Sequence, residues 1–82
     1  TPETLLADER ARQLLMSLLS GLEERQRAVF VMYEIEELTV PEIAEVLDLP
    51  VGTVTSRLRA AREDFRARLA RHRARTEREV GK

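Results

Sequence analysis

The chain has 82 residues, enough for one small domain around a single core. Its composition, 43% hydrophobic and 35% charged, is typical of a folded protein rather than a disordered one. It has no cysteine and one histidine, which excludes a disulfide scaffold, a cysteine zinc site, a thiol nucleophile and a histidine pair. The longest apolar run, residues 28–33, is far too short to span a membrane.

Charge is divided unevenly along the chain. Residues 1–52 carry four Arg against eleven Asp or Glu, whereas residues 53–82 carry ten basic residues against four acidic ones. This asymmetry predicts two surfaces with different partners, and nucleic acid is a natural partner for the basic one. A solvated basic helix end is the alternative interpretation of the same charge run.

The first half of the chain predicts two helices. The first covers Pro2–Ser20, with Thr1 as its N-cap and Gly21 as its stop. Its apolar stripe consists of Ala11, Leu14, Leu15, Leu18 and Leu19. The second helix covers about residues 23–36 and is apolar on several faces, which favours a central position or one face offered to a partner.

The second half predicts a short helix, a tight break and a longer helix. The short helix covers Val40–Leu47, and Thr39 and Glu42 have the spacing of a capping box. The longer helix begins near Pro50 or Val51 and runs to about Arg71, after which we expect a frayed basic tail over residues 72–82. The four apolar stripes should close one all-α core that contains Leu15, Leu18, Phe30, Ile43, Leu47, Val54, Leu58 and Phe65.

Residues 39–71 are predicted to form a short helix, a break and a longer basic helix. This order is typical of a helix-turn-helix, in which the second helix enters the major groove of DNA. A helical wheel places Leu58, Ala61 and Phe65 inward with Val54, and it leaves Ser56, Arg59, Ala60 and Glu63 on the opposite, base-reading face. Thr55 flanks this face, and candidate phosphate contacts are Thr53 at the helix start, the flanking Arg57 and Arg62, and Arg66 farther along. A helical hairpin with a solvated arginine face is the competing interpretation.

The stretch LTVPEIAEVLDLPVGTVTSRLRAAR, residues 38–62, resembles region 4 of bacterial sigma factors of the extracytoplasmic-function group. The preceding LEERQRAVF, residues 22–30, is similar to the entry of that region in the family. The resemblance implies a four-helix domain that reads the promoter −35 element, docks on the β flap of RNA polymerase and is captured by an anti-sigma factor. It also implies base reading by Thr55, Ser56, Arg59 and Ala60, and phosphate contacts by Thr53, Pro41 and Glu42.

The chain departs from the family pattern at five positions. Glu23 replaces a usual Pro, Glu37 replaces a usual Gly before the capping box, and Asp48 replaces the usual Gly of the turn. Asp48 must therefore tolerate a left-handed or nearby conformation. Thr55 and Ala60 stand where long basic side chains are common, which leaves the −35 sequence preference open.

We expect a single sigma region 4-like domain over residues 1–82, with a leader helix in 1–21 and a central helix in 22–37. It should be a non-enzymatic, cytoplasmic, promoter-binding part of a longer protein, with double-stranded DNA, RNA polymerase core and an anti-sigma factor as partners. No catalytic group, cofactor site or metal site is expected, and Glu34, Glu36 and Glu37 are interpreted as a solvated acidic patch. A protein-interaction module with little DNA binding and a response-regulator output domain are the alternative functions.

Overall fold

The computed structural model describes residues 1–81 as an all-α domain, which confirms the predicted fold class. The helices are α1 (Pro2–Ser20), α2 (Glu24–Phe30), α3 (Val40–Leu47) and α4 (Val51–Val80), and a π-helical turn, Val31–Ile35, continues α2. No strand occurs within residues 1–81. None of the helices in this range has both the length and the apolar character needed to cross a bilayer.

Helix α1 begins and ends at the predicted residues. The Thr1 hydroxyl accepts a hydrogen bond from the backbone N–H of Thr4 at 3.2 Å, and Pro2 lies in the first turn. The last turn of α1 has no basic residue of its own. Instead, the guanidinium of Arg68 lies against Gly21 so closely that a Cβ there would collide with it. Arg68 thereby brings positive charge to the carbonyl end of α1, where the helix dipole favours it.

The predicted second helix is divided between α2 and the π-helical turn. Glu23 caps α2, since its carboxylate accepts hydrogen bonds from the backbone N–H groups of Arg25 and Gln26 at 3.1 and 3.2 Å. These bonds, the one from Arg25 above all, hold the pKa of Glu23 below its usual range. The turn then widens, with the N–H of Glu36 bonded to the carbonyl of Val31. Such π-helical turns are rare in proteins, and those that occur often lie at functional sites.

Helix α3 is closed at both ends by local hydrogen bonds. At its start, the Thr39 hydroxyl accepts from the N–H of Glu42 at 3.2 Å and the Glu42 carboxylate accepts from the N–H of Thr39 at 3.0 Å, which confirms the capping box. At its end, Asp48 is left-handed at φ 54°, and the N–H of Leu49 bonds to the carbonyl of Ala44 as in a Schellman motif. Asp48 therefore adopts the conformation expected of it, and Glu37 is left-handed as well, at φ 61°.

The core lies where α2, α3 and the first half of α4 meet the C-terminal end of α1. Its buried side chains are Leu18, Leu19, Leu22, Val29, Phe30, Ile43, Ala44, Val54, Leu58 and Ala61. Leu15, Leu47 and Phe65 are only partly buried and pack against its edge, although the Phe65 ring lies 4.9 Å from that of Phe30. Ala11, predicted on the inward stripe of α1, is exposed because the core covers only the C-terminal end of that helix.

Helix α4 is longer than predicted. The expected fraying after Arg71 is wrong for the described residues, because α4 continues to Val80. The ten residues from 71 to 80 contain no Gly or Pro, and several of them are strong helix formers, so no local signal ends the helix before Gly81. The apolar period stops at residue 71 because the segment projects beyond the core. Lys82, the last residue of the predicted tail, lies outside the described residues.

Candidate DNA-binding site

The N-terminus of α4 is open to an anionic ligand. The first N–H groups of an α-helix have no partner within it, and no side chain caps those of α4, whose N-cap is Pro50. The first turn of α4 also contains no acidic residue. Gly52 adds space, since a Cβ there would meet no atom within 4 Å. The positive end of the helix dipole and the open N–H groups together suit a phosphate oxygen, with the half-buried Thr53 beside them.

The predicted base-reading residues lie on the outer face of α4. Thr55, Ser56, Arg59 and Glu63 are exposed, and Ala60 is half-buried beside them. The Thr55 hydroxyl donates to the carbonyl of Val51 at 3.1 Å, which fixes its rotamer and leaves its oxygen lone pairs to accept a further bond. This face can therefore offer a hydroxyl, a guanidinium and a carboxylate to base edges.

A shallow groove of about 250 Å³ gathers several of the predicted residues along one side of α4. It is lined by Thr55, Leu58, Arg59, Arg62, Glu63 and Arg66. Arg59 is exposed and has no ion-pair partner among residues 1–81. Its guanidinium is thus available for a guanine edge or a phosphate.

Arg62 is held by a contact that sequence reasoning missed. Its Nη2 lies 2.9 Å from the Glu34 carboxylate and its Nε donates to the same oxygen at 3.0 Å. Its guanidinium carbon lies 4.9 Å from the centre of the Tyr33 ring, within cation–π range. The hydrogen bond to Glu34 raises the pKa of Arg62 above its ordinary value. Glu34 is therefore half of an ion pair between the π-helical turn and α4, although it remains exposed like Glu36 and Glu37, as predicted.

Arg57 lies apart from the groove that contains Arg59. It lines a different hollow with Glu24, Arg25, Ala28, Leu47 and Leu49. Its charge also contributes, after the hydrogen bonds at the start of α2, to the lowered pKa of Glu23. A contact of Arg57 with DNA would thus be made from the side of α2, away from the groove.

The start of α3 presents two further predicted residues to solvent. Pro41 and Glu42 are both exposed. The Glu42 carboxylate already accepts the backbone N–H of Thr39, and this bond lowers the pKa of Glu42. Glu42 therefore stabilises the start of α3, and its negative charge would repel a phosphate rather than bind it. Within residues 1–81, no cluster of three or more His, Asp or Glu side chains is arranged to hold a metal ion.

The amino-acid sequence was compared with those of known protein families and proteins. Residues 12–65 match the family described as sigma-70, region 4. The chain is 40% identical over 62 residues to the ECF RNA polymerase sigma-E factors of Escherichia coli K12 and Salmonella typhimurium LT2, a match that covers 76% of this chain and 32% of those proteins. It is 35% identical over 63 residues to that of Haemophilus influenzae, covering 77% of this chain and 33% of the relative.

The matched segment thus spans about a third of the length of these relatives. The family consists of domains of transcription initiation factors and not of enzymes, which confirms the prediction of a non-enzymatic role. The similarity to sigma-E factors also confirms the resemblance to the extracytoplasmic-function group. With more than half of its residues matched by the family, the chain belongs to the region 4 domains of sigma-70 factors.

Proposed function

We propose that this domain recognises the −35 element of promoter DNA as part of a sigma factor bound to RNA polymerase. The observation that carries the proposal is the uncapped N-terminus of α4, which adjoins an exposed polar face at the second helix of a helix-turn-helix. The family and the names of the relatives, RNA polymerase sigma-E factors, support the same function.

In this proposal, base reading and phosphate binding use different parts of the site. Thr55, Ser56, Arg59, Ala60 and Glu63 face the base edges, with Arg59 as the only long cation among them. The N–H groups at the start of α4 bind one phosphate beside Thr53, and Arg62 and Arg66 bind others along the groove. Three further residues lie beside the sugar–phosphate backbone of the duplex, namely Arg57, Pro41 and Glu42.

The polymerase-binding surface in this proposal is the outer side of α2 and the π-helical turn. Ala28, Val31 and Met32 line a hollow of about 290 Å³ there, with Glu24, Arg27 and Glu36 at its edge. A half-buried apolar hollow with a mostly acidic rim suits a protein partner better than DNA, whose phosphates it would repel. We assign it to the β flap of RNA polymerase, and to an anti-sigma factor that competes with the polymerase in the cytoplasm.

The function is tested by selecting bound duplexes from a random pool with the full-length protein on core RNA polymerase. We expect one enriched sequence, and Arg59→Ala should relax its preference at one or two positions. The matched control is Arg73→Ala, because Arg73 is an exposed arginine of α4 outside the groove. Enrichment of no sequence, or the same change of preference in both variants, would contradict the proposal.

A further inference from the structure

A second cleft lies between the C-terminal end of α1 and the C-terminal half of α4. Its volume is about 390 Å³. It is lined by Ser17 and Leu18 of α1 and by Arg68, Arg71, Ala74, Arg75 and Arg78 of α4. Nothing in the DNA-binding site or the polymerase-binding hollow uses these residues.

The four arginines form one wall of the cleft because they are spaced by three, four and three residues along α4. Among residues 1–81, no carboxylate lies at ion-pair distance from Arg71, Arg75 or Arg78. Arg68 Nε lies 3.2 Å from Asp64 Oδ1, but this nitrogen atom is buried and makes no hydrogen bond with any described residue. The wall therefore carries positive charge that the domain itself leaves largely unneutralised, with an unsatisfied donor at its base.

The α1 side of the cleft is formed by Ser17 and Leu18, and an apolar face of α1 leads away from it. Ala7, Ala11 and Leu14 follow Leu18 back along α1 at helical spacing, so they share its face. Leu18 is buried in the core, Leu14 is half-buried, and Ala7 and Ala11 are exposed. This face of α1 therefore runs out of the core into solvent without a covering element.

The cleft is separate from the DNA-binding face of α4. At 1.5 Å per residue, Arg71 and Arg78 lie about 22 and 33 Å beyond Ser56 along the helix axis. A major groove is only about 12 Å wide and 8.5 Å deep, so these residues lie outside the groove that the helix start enters. At 100° per residue, the cleft arginines also lie about 160° around the axis from the stripe of Arg59, Arg66 and Arg73.

We propose that this cleft binds an acidic amphipathic helix of a protein partner. Its apolar face would lie on Ala7, Ala11 and Leu14, and its carboxylates would pair with the arginines, whose forked guanidinium groups match a carboxylate in two bonds. A helix with both faces satisfies the arginine wall and the adjoining apolar face of α1, whereas DNA or a small anion would leave that apolar face exposed.

The probe is a fluorescein-labelled synthetic helical peptide with a leucine face and a glutamate face, compared with the same peptide carrying Gln for Glu. The cleft variant is Arg71→Glu with Arg75→Glu, and the matched control is Arg66→Glu with Arg73→Glu, which makes the same charge change on the other stripe. Anisotropy should show saturable binding of the Glu peptide that weakens at least about tenfold in the cleft variant and less than about threefold in the control. Binding of the Gln peptide should be weak throughout.

A third variant, Ala11→Gln, tests the apolar face of α1 without changing charge, and it should also weaken peptide binding. Thermal unfolding of each variant establishes that it is folded. Equal losses in the two charge variants would mean general electrostatic attraction and would overturn the proposal, as would the absence of saturable binding. A larger loss of duplex DNA binding in the cleft variant than in the control would assign the cleft to DNA instead.

Discussion

The strongest test of the DNA-binding site compares Arg59→Ala with Arg62→Ala. Arg59 is exposed in the groove of α4 and has no ion-pair partner among residues 1–81, so its loss should change the free energy of unfolding by less than about 0.5 kcal/mol. A guanidinium in this position can bridge O6 and N7 of a guanine. Arg59→Ala should therefore cost roughly 1–3 kcal/mol on the preferred duplex and relax the preference at one or two positions.

Arg62→Ala should behave differently in both measurements. It removes an exposed ion pair with Glu34 and a cation–π contact with Tyr33, and together these are worth about 1 kcal/mol of folding stability. On DNA it should weaken all duplexes about equally and lower the salt slope by about one unit, as expected for one phosphate contact. Glu34→Gln is the matched control, because it weakens the same bridge but keeps the positive charge of Arg62.

The assay is fluorescence anisotropy over a salt series, with the preferred duplex and a set of duplexes that each carry one base change. Thermal unfolding of every variant separates a loss of stability from a loss of DNA contacts. If Arg59→Ala weakens every duplex to the same extent, Arg59 binds phosphate, and base reading moves to Thr55 and Ser56 or to DNA shape. If Glu34→Gln lowers the salt slope as much as Arg62→Ala does, Arg62 acts through its bridge rather than through a phosphate.

Four further predictions concern stability and the start of α4. Leu58→Ala should cost about 2–5 kcal/mol, because Leu58 is 5% exposed in the core, and a thermal transition equal to that of the unchanged chain would contradict this core. Gly52→Ala should stabilise the domain by about 0.5–1 kcal/mol, since its Cβ meets open space, yet weaken duplex binding if a phosphate approaches there. Glu37→Gly should raise stability by about 0.5–1 kcal/mol in denaturant unfolding by relieving the left-handed backbone. The hydrogen bond that Glu42 accepts at the start of α3 stabilises the folded state at pH values above the usual Glu pKa of 4.5, and this stabilisation is lost as the pH falls through the lowered pKa of Glu42 in the folded state. The melting temperature of Glu42→Gln should therefore fall less steeply in acid than that of the unchanged chain.

Helix starts were predictable where the residues that determine them lie within one turn of the helix. Thr1 and Pro2 begin α1, and Thr39 with Glu42 begins α3. In each case the side chain bonds to, or restricts, a backbone group within three residues, so the sequence spacing alone contains the required information. The left-handed Asp48 was predictable for a related reason, because the family has glycine at the same place in the turn.

Polar contacts between distant segments were not predictable from these patterns. Glu34 and Arg62 are 28 residues apart in the chain. Glu34 lies in the π-helical turn, and no periodicity in residues 31–35 predicts that turn. The end of α4 was missed for a different physical reason. An apolar period reports which residues are buried, whereas helicity after Arg71 requires only favourable propensities and no breaker before Gly81.

One long helix carries both proposed binding sites, and its neighbours fix it at successive points. The Phe65 ring packs on Phe30 of α2, Arg62 binds Glu34 of the π-helical turn, and Arg68 lies against Gly21 at the end of α1. These three contacts fall within seven residues of α4, between its DNA-binding start and its arginine-lined end. They hold α4 as one continuous rod, because the helix has no internal Gly or Pro after Gly52. The orientation of the proposed base-reading face is therefore set by three side chains that lie outside that face.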